Sequence, residues 1–214
     1  MRGGLAIRIA SLVWGLFLFA WGIVLILESH LGLSPWDVLH QGIANHTPIS
    51  FGAANAVVGM GVLGLAWALG GRPGWGTVAN ALLVGGFIQL FLSFDAVTGL
   101  QHEPLWVRAL LLAAGIALMG PATACYIGAD LGAGPRDTLM LAATARTGWR
   151  LGLVRGGIEV AALLAGIALG GTFGVGTVAF ALLIGPVVEL SFTALARSPL
   201  AVAEPGAPAV VIGE

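Results

Sequence analysis

Leu31 to Leu39 read LGLSPWDVL, and one hundred residues further on Leu131 to Leu139 read LGAGPRDTL. The echo extends far beyond those nine positions. Sliding the chain by one hundred residues lays Leu5 to Phe91 over Leu105 to Ser191 without a gap, with about 27 identities in about 87 positions, the mark of a duplicated unit. Gly70 to Gly85, GGRPGWGTVANALLVG, likewise returns as GGTFGVGTVAFALLIG at Gly170 to Gly185. What LGLSPWDVL does in one copy it must do again in the other, so the architecture turns on how these two stretches fold.

Around Ser34-Pro35-Trp36-Asp37 the residue types spell the start of a helix. Ser34 serves as N-cap, Pro35 takes the first helical position, and Asp37 brings a carboxylate to the free N–H groups and positive dipole end of the first turn. Gly134, Pro135 and Asp137 repeat the arrangement. The helices that follow run to about Ala44 and Ala145, roughly ten residues or ~15 Å, which is half a bilayer core. Each is either a re-entrant half-helix or a helix lying along the interface. Discontinuous segments at matching places in two halves point to a substrate path.

Composition names the solvent. With 58% hydrophobic and 9% charged residues and a mean hydropathy of +0.98, most of the surface must be apolar. Ile9 to Leu27, Phe51 to Leu69, Thr77 to Phe94, Leu105 to Ile127, Leu151 to Leu169 and Thr177 to Ala196 each approach the ~20 residues that cross ~30 Å of hydrocarbon. The fold class is therefore all-α membrane protein, with six spans as a 3+3 inverted repeat and two short broken or re-entrant helices. A single transmembrane domain is expected over 1–196, with repeat 1 at 5–91 and repeat 2 at 105–191. The Pro-, Ala- and Glu-rich stretch 197–214 reads as a disordered cytoplasmic tail. The first apolar run is too long for a signal peptide, and its second-copy partner lies mid-chain, so both read as retained spans.

Orientation follows from arginine, since the chain has no lysine. With the N-terminus inside, Arg2, Arg8, Arg72, Arg136, Arg146, Arg150, Arg155 and Arg197 fall on or near the cytoplasmic face and Arg108 alone falls outside. Both termini are then cytoplasmic, in a plasma (inner) membrane. Three spans per copy is an odd number, so the second copy enters from the opposite face, an arrangement enriched among transporters.

Asp37 and Asp137 have two readings: capping groups of their own helices, or cation or proton ligands reached from opposite sides. Thr77, Ala81, Gly85 and Gln89 share one helix face, as do Thr177, Ala181, Gly185 and Glu189, and 34 glycines suit helices held by close approach in lipid. Glu189, well inside a span, is expected to face a partner or a wet cavity. Arg155 and Glu159, one turn apart and matched by Asn55 and Gly59, read either as an intrahelical pair or as part of a central polar site with Glu189. Gly120-Pro121 is expected to kink the fourth span.

Other chemistry is thin. The single Cys125 allows no disulfide within the chain. His30, His40, His46 and His102 fit no metal spacing and read as surface histidines on the outer side. No metal, cofactor, nucleophile elbow, phosphate loop or nucleic-acid-binding patch is expected, and the chain does not read as an enzyme.

LGxxPxD appearing twice, each time followed by a GG-x2-G-x-GTV-type segment, resembles the YczE-like group of bacterial integral membrane proteins, related to the YitT family. The resemblance covers nearly the whole chain and implies a small plasma-membrane protein with Gly32, Pro35 and Asp37, and Gly132, Pro135 and Asp137, as signature positions. The reading is a small transporter or exporter of an unidentified small solute in the lipid bilayer, with size and small-residue stripes pointing to a homodimer. The rival is a non-transporting accessory or scaffold protein that binds a protein partner. Candidate path residues are Ser34, Pro35, Asp37, Gly134, Pro135, Asp137, Asn55, Gln89, Arg155, Glu159 and Glu189.

Overall fold

The computed structural model describes residues 4–197. Arg2 and the tail from 198 onward lie outside the described residues. Among those described, every regular element is helical: α1 (Leu5–Ser29), α2 (Pro35–His46), α3 (Phe51–Ala68), α4 (Trp75–Leu92), a four-residue α5 (Asp95–Thr98), α6 (Leu105–Gly128), α7 (Pro135–Thr147), α8 (Leu151–Ala168) and α9 (Val175–Ala196). Six of them, α1, α3, α4, α6, α8 and α9, are long and apolar enough to cross a membrane. They fall where the apolar runs placed them. The two short helices have 12 and 13 residues, about 18–20 Å. Gly120-Pro121 does not break α6, which continues through Pro121 to Gly128.

The first helices of the two copies, α1 and α6, form the central pair. A Cβ at Gly15 would sit 2.7 Å from the Tyr126 nitrogen, and one at Gly22 would sit 2.7 Å from Met119 Cγ. Rising numbers on one helix meet falling numbers on the other, so the pair is antiparallel. Glycine permits this backbone-to-backbone approach, which is what holds helices together where lipid competes for every apolar contact. Each copy also caps the other. Arg8 Nε donates to the Ala129 carbonyl at 2.7 Å, and its equivalent Arg108 donates from Nε to the Ser29 carbonyl at 2.7 Å. The last carbonyls of a helix lack intrahelical donors and carry the negative dipole end, so a guanidinium satisfies both needs at once.

The two motif pairs of the sequence are the two sides of one joint, made twice and always between copies. Leu31 of the first LGxxPxD accepts a hydrogen bond from the Gly176 N–H at 2.7 Å, and Leu131 of the second accepts from Gly76 at 2.8 Å. Gly32 (φ 119°) and Gly132 (φ 131°) follow them in a backbone region that side chains rarely adopt. A Cβ there would also strike the Thr177 and Thr77 hydroxyls at 2.8 and 2.7 Å. Those threonines in turn accept from the backbone N–H of Gly174 and Gly74, closing the first turns of α9 and α4.

From these joints the chain goes in and comes back. Leu33 N–H donates to the Thr172 carbonyl at 3.3 Å, while Asn45, near the far end of α2, donates to the Gly170 carbonyl at 3.1 Å. Both ends of the LGLSPWDVL hairpin are tied to one loop. In the second copy Leu131 is bonded to Gly76 and Ala142 of α7 packs beside Gly71, again one loop. Each short helix is therefore pinned to the stretch that opens the last span of the opposite copy.

The copies are packed differently in one respect. In the first, α3 and α4 are pressed together, so that a Cβ at Gly52 would lie 2.4 Å from the Gly85 oxygen and one at Gly85 would lie 2.4 Å from the Gly52 oxygen. Their equivalents Gly152 and Gly185 have nothing within 4 Å. Beyond Gly176 and Thr177, no residue of α9 is buried. The seam that is shut between α3 and α4 is parted between α8 and α9.

Candidate functional site

The starts of the two short helices, the tips of the LGxxPxD hairpins, meet. The Arg136 guanidinium carbon lies 5.0 Å from the centroid of the Trp36 ring, and these are equivalent positions one hundred residues apart. A cation over an indole face is attracted by the ring quadrupole, by about 0.5–2 kcal/mol depending on desolvation.

On the first hairpin, Ser34 Oγ accepts from the Asp37 N–H at 3.3 Å and donates to the Asp37 carboxylate. Asp37 is 1% exposed and its other oxygen lies 3.2 Å from His40 Nδ1. The same ring nitrogen is 3.2 Å from the Asn55 amide nitrogen. One nitrogen cannot donate to Asp37 and accept from Asn55 at once, so the position of the His40 proton selects its partner. Pro35 holds the first helical position and leaves the turn without a wasted N–H.

The second hairpin is built on the same plan with one substitution that matters. Gly134 stands where Ser34 stands in the first, so α7 has no side-chain cap. Asp137 instead interacts with the Tyr126 hydroxyl. A Cβ at Gly134 would lie 3.3 Å from Asp137 Oδ2, 3.6 Å from the Tyr126 oxygen and 3.7 Å from Asn80 Nδ2, so polar groups from α4, α6 and α7 converge on this point. Pro135 again occupies the first turn.

Between the tips lies a cavity of about 20 Å³ lined by Trp36, His40, Asn55, Asn80, Ala81 and Arg136, room for about one water molecule. The Trp36 Nε1–H is buried with no acceptor. Asp37 and Asp137 both lie within the field of Arg136, and Asp137 also within that of Arg155.

Of the residues proposed from sequence, the structure gathers Ser34, Pro35, Asp37, Asn55, Gly134, Pro135 and Asp137 at the centre, with Arg155 near them. Arg155 Nε donates to Glu159 Oε1 at 3.0 Å, an i,i+4 pair at the face of α8. Gln89 and Glu189 are exposed on α4 and α9 and do not join the cluster. Arg136, read as lying on or near the cytoplasmic face, is stacked on Trp36, and one other sequence reading is corrected here. His40 is 1% exposed and bonded to Asp37, not a surface histidine. The spacing of Asp37 and His40, three residues apart on a helix, was the available signal for that pair. Trp36, Asn80 and Tyr126 carried none, because what they touch comes from the other copy or from distant helices.

An all-helical, multi-pass membrane protein made of two like units with paired short helices is the class these features define. The chain belongs to the family of unknown function DUF6198, whose profile matches residues 6–192. It is 33% identical over 198 residues to the uncharacterized membrane protein YczE of Bacillus subtilis (strain 168), covering 89% of this chain and 88% of that one. It is 38% identical over 192 residues to an uncharacterized protein of Haemophilus influenzae, covering 89% and 86%. The YczE-like resemblance seen in LGxxPxD is thereby shown across the chain. No solved structure matches it.

Proposed function

We propose that the chain is a small-solute transporter of the bacterial plasma membrane that works by alternating access, its two copies inserted in opposite directions. The observation that carries this is the unequal seam. Equivalent helices are sealed in one copy, at Gly52 and Gly85, and parted in the other, at Gly152 and Gly185. An inverted repeat that adopts two different packings of one sequence pattern has a second state available in which the packings are exchanged. Either packing is compatible with the glycines both copies carry.

The hairpin tips sit between the two seams. On one side is the small cavity, roofed by Gly59 of α3 and Ala81 of α4, whose would-be Cβ and Cβ lie 3.3 Å apart. On the other is the place occupied by their equivalents, Glu159 and the exposed Ala181, where no such roof forms. With the N-terminus cytoplasmic, as the arginine bias argues, the parted seam opens beside Arg150 and faces the cytoplasm. The inward-open state would then be the one described.

A scaffold that only positions a partner predicts a dry, fully bonded centre. A buried indole N–H without an acceptor and a cavity beside it favour transport. Counterflow in proteoliposomes loaded with a panel of small metabolites tests the reading. Saturable uptake of at least one solute is expected; a protein that is folded in the vesicles yet moves none of them would refute it.

A further inference from the structure

Among the described residues, two donor side chains meet at the centre without an acceptor or an ion pair of their own. Trp36 lines the cavity, is 6% exposed, and its Nε1–H has no acceptor. An indole can only donate. The Arg136 guanidinium, with five donors and no acceptor capacity, also lines the cavity and rests on the Trp36 face, but among the described residues it makes no ion pair. The acidic groups nearby are already engaged. Asp37 takes the Ser34 hydroxyl and faces His40, and Asp137 Oδ2 and the Tyr126 oxygen converge beside Gly134. A buried donor left unmade is costly, so what belongs between Trp36 and Arg136 is an acceptor.

Field and helix ends agree with the donor inventory. Both short helices present their N-termini, the positive dipole ends, to the hairpin tips. That of α2 is closed by Ser34; that of α7, with Gly134, is not closed by any side chain. The open end is the one that carries Arg136. Opposing this, Asp37 and Asp137 are within its reach and would repel a multiply charged anion.

We propose, on the strength of the transport reading above, that the solute is a small organic monocarboxylate whose carboxylate is bound by the Trp36 Nε1–H and the Arg136 guanidinium at the uncapped start of α7. Two oxygens suit the planar fork of arginine, which can hold a carboxylate bidentately. The cavity as it stands has room for little more than water, so binding parts Trp36 from Arg136 to admit the carboxylate, and the remainder of the solute extends toward the parted α8–α9 seam. The two hairpins thus have unequal roles: the first is closed by its own serine, and the second presents the recognition end.

The test uses the full chain in detergent and compares matched probes. Acetate, lactate and benzoate are titrated beside acetamide, lactamide and benzamide and beside methylamine, and thermal unfolding is followed. At least one carboxylate is expected to raise the midpoint in a saturable way while its amide does not. Trp36→Phe keeps the ring under Arg136 and removes the N–H, and should weaken that carboxylate about tenfold or more, as expected for one hydrogen bond to a charged group. Arg136→Lys keeps the charge and loses the fork, and should weaken it as well; it serves if the tryptophan variant does not fold. Stabilisation by the amides or by methylamine in place of the carboxylates, a carboxylate effect unchanged in both variants, or no effect of any carboxylate would overturn the assignment. Each of these leaves transport itself standing if counterflow of some other solute is seen; absence of all counterflow overturns the transport reading instead.

Discussion

Trp36 and Arg136 occupy the same position in the two copies of the repeat, and their side chains touch, guanidinium carbon to ring centroid, at 5.0 Å. Equivalent residues can meet only at the axis that relates the copies. The contact therefore marks the centre of the molecule, reached by two hairpins that enter from opposite copies and are held there by the Leu31–Gly176 and Leu131–Gly76 hydrogen bonds.

If the stack links the hairpins, the two side chains should be energetically coupled. In a double-mutant cycle with Trp36→Leu and Arg136→Met, thermal or denaturant unfolding is expected to give a coupling of about 0.5–2 kcal/mol. Additive effects would show the two side chains to be neighbours without interaction.

The joints predict sharp losses at two glycines and none at their neighbours. Gly32→Ala and Gly132→Ala each combine positive φ with a Cβ under 3 Å from the opposite copy, so each should cost about 2–4 kcal/mol. Gly61 and Gly64 of α3, with nothing within 4 Å, should accept alanine with a change of about 1 kcal/mol or less in either direction. Thermal unfolding in detergent would distinguish the two classes.

The crossed arginine caps should matter equally, since they are equivalent bonds. Arg8→Ala and Arg108→Ala are each expected to lower stability by about 1–3 kcal/mol, the range for a charge-assisted hydrogen bond to helix-end carbonyls. Asp130→Ala, by contrast, removes a partner of Arg8 whose side chain is 88% exposed, and should cost under about 1 kcal/mol.

The repeat, the six spans and the two half-length helices were legible because each rests on local pattern: hydrophobic length, Ser34 before Pro35, and self-similarity at a single offset. The joint was not, although both of its sides were quoted as motifs. Leu31 and Gly176 are far apart in sequence, and only folding shows that LGxxPxD of one copy pairs with GxGTV of the other. The unequal packing was not legible either: Ala81 and Gly85 are buried, but their equivalents Ala181 and Gly185 are exposed because the second seam is parted. Sequence symmetry cannot report that two equal copies are packed unequally. Arg136 was read from charge bias alone, which carries no sign of its contact with Trp36.

That inequality is also what the functional account stands on, and it can be measured without knowing the solute. Spin labels at Val57 and Leu82 report the α3–α4 seam, and labels at the equivalent Gly157 and Leu182 report the α8–α9 seam; all four positions are exposed. Pulsed electron paramagnetic resonance in lipid nanodiscs should give two distances for each pair, the short one for the first pair and the long one for the second belonging to the state described above. Conditions that raise one population in one pair should raise the opposite one in the other. A single distance for each pair, unchanged across solutes and lipid compositions, would contradict alternating access.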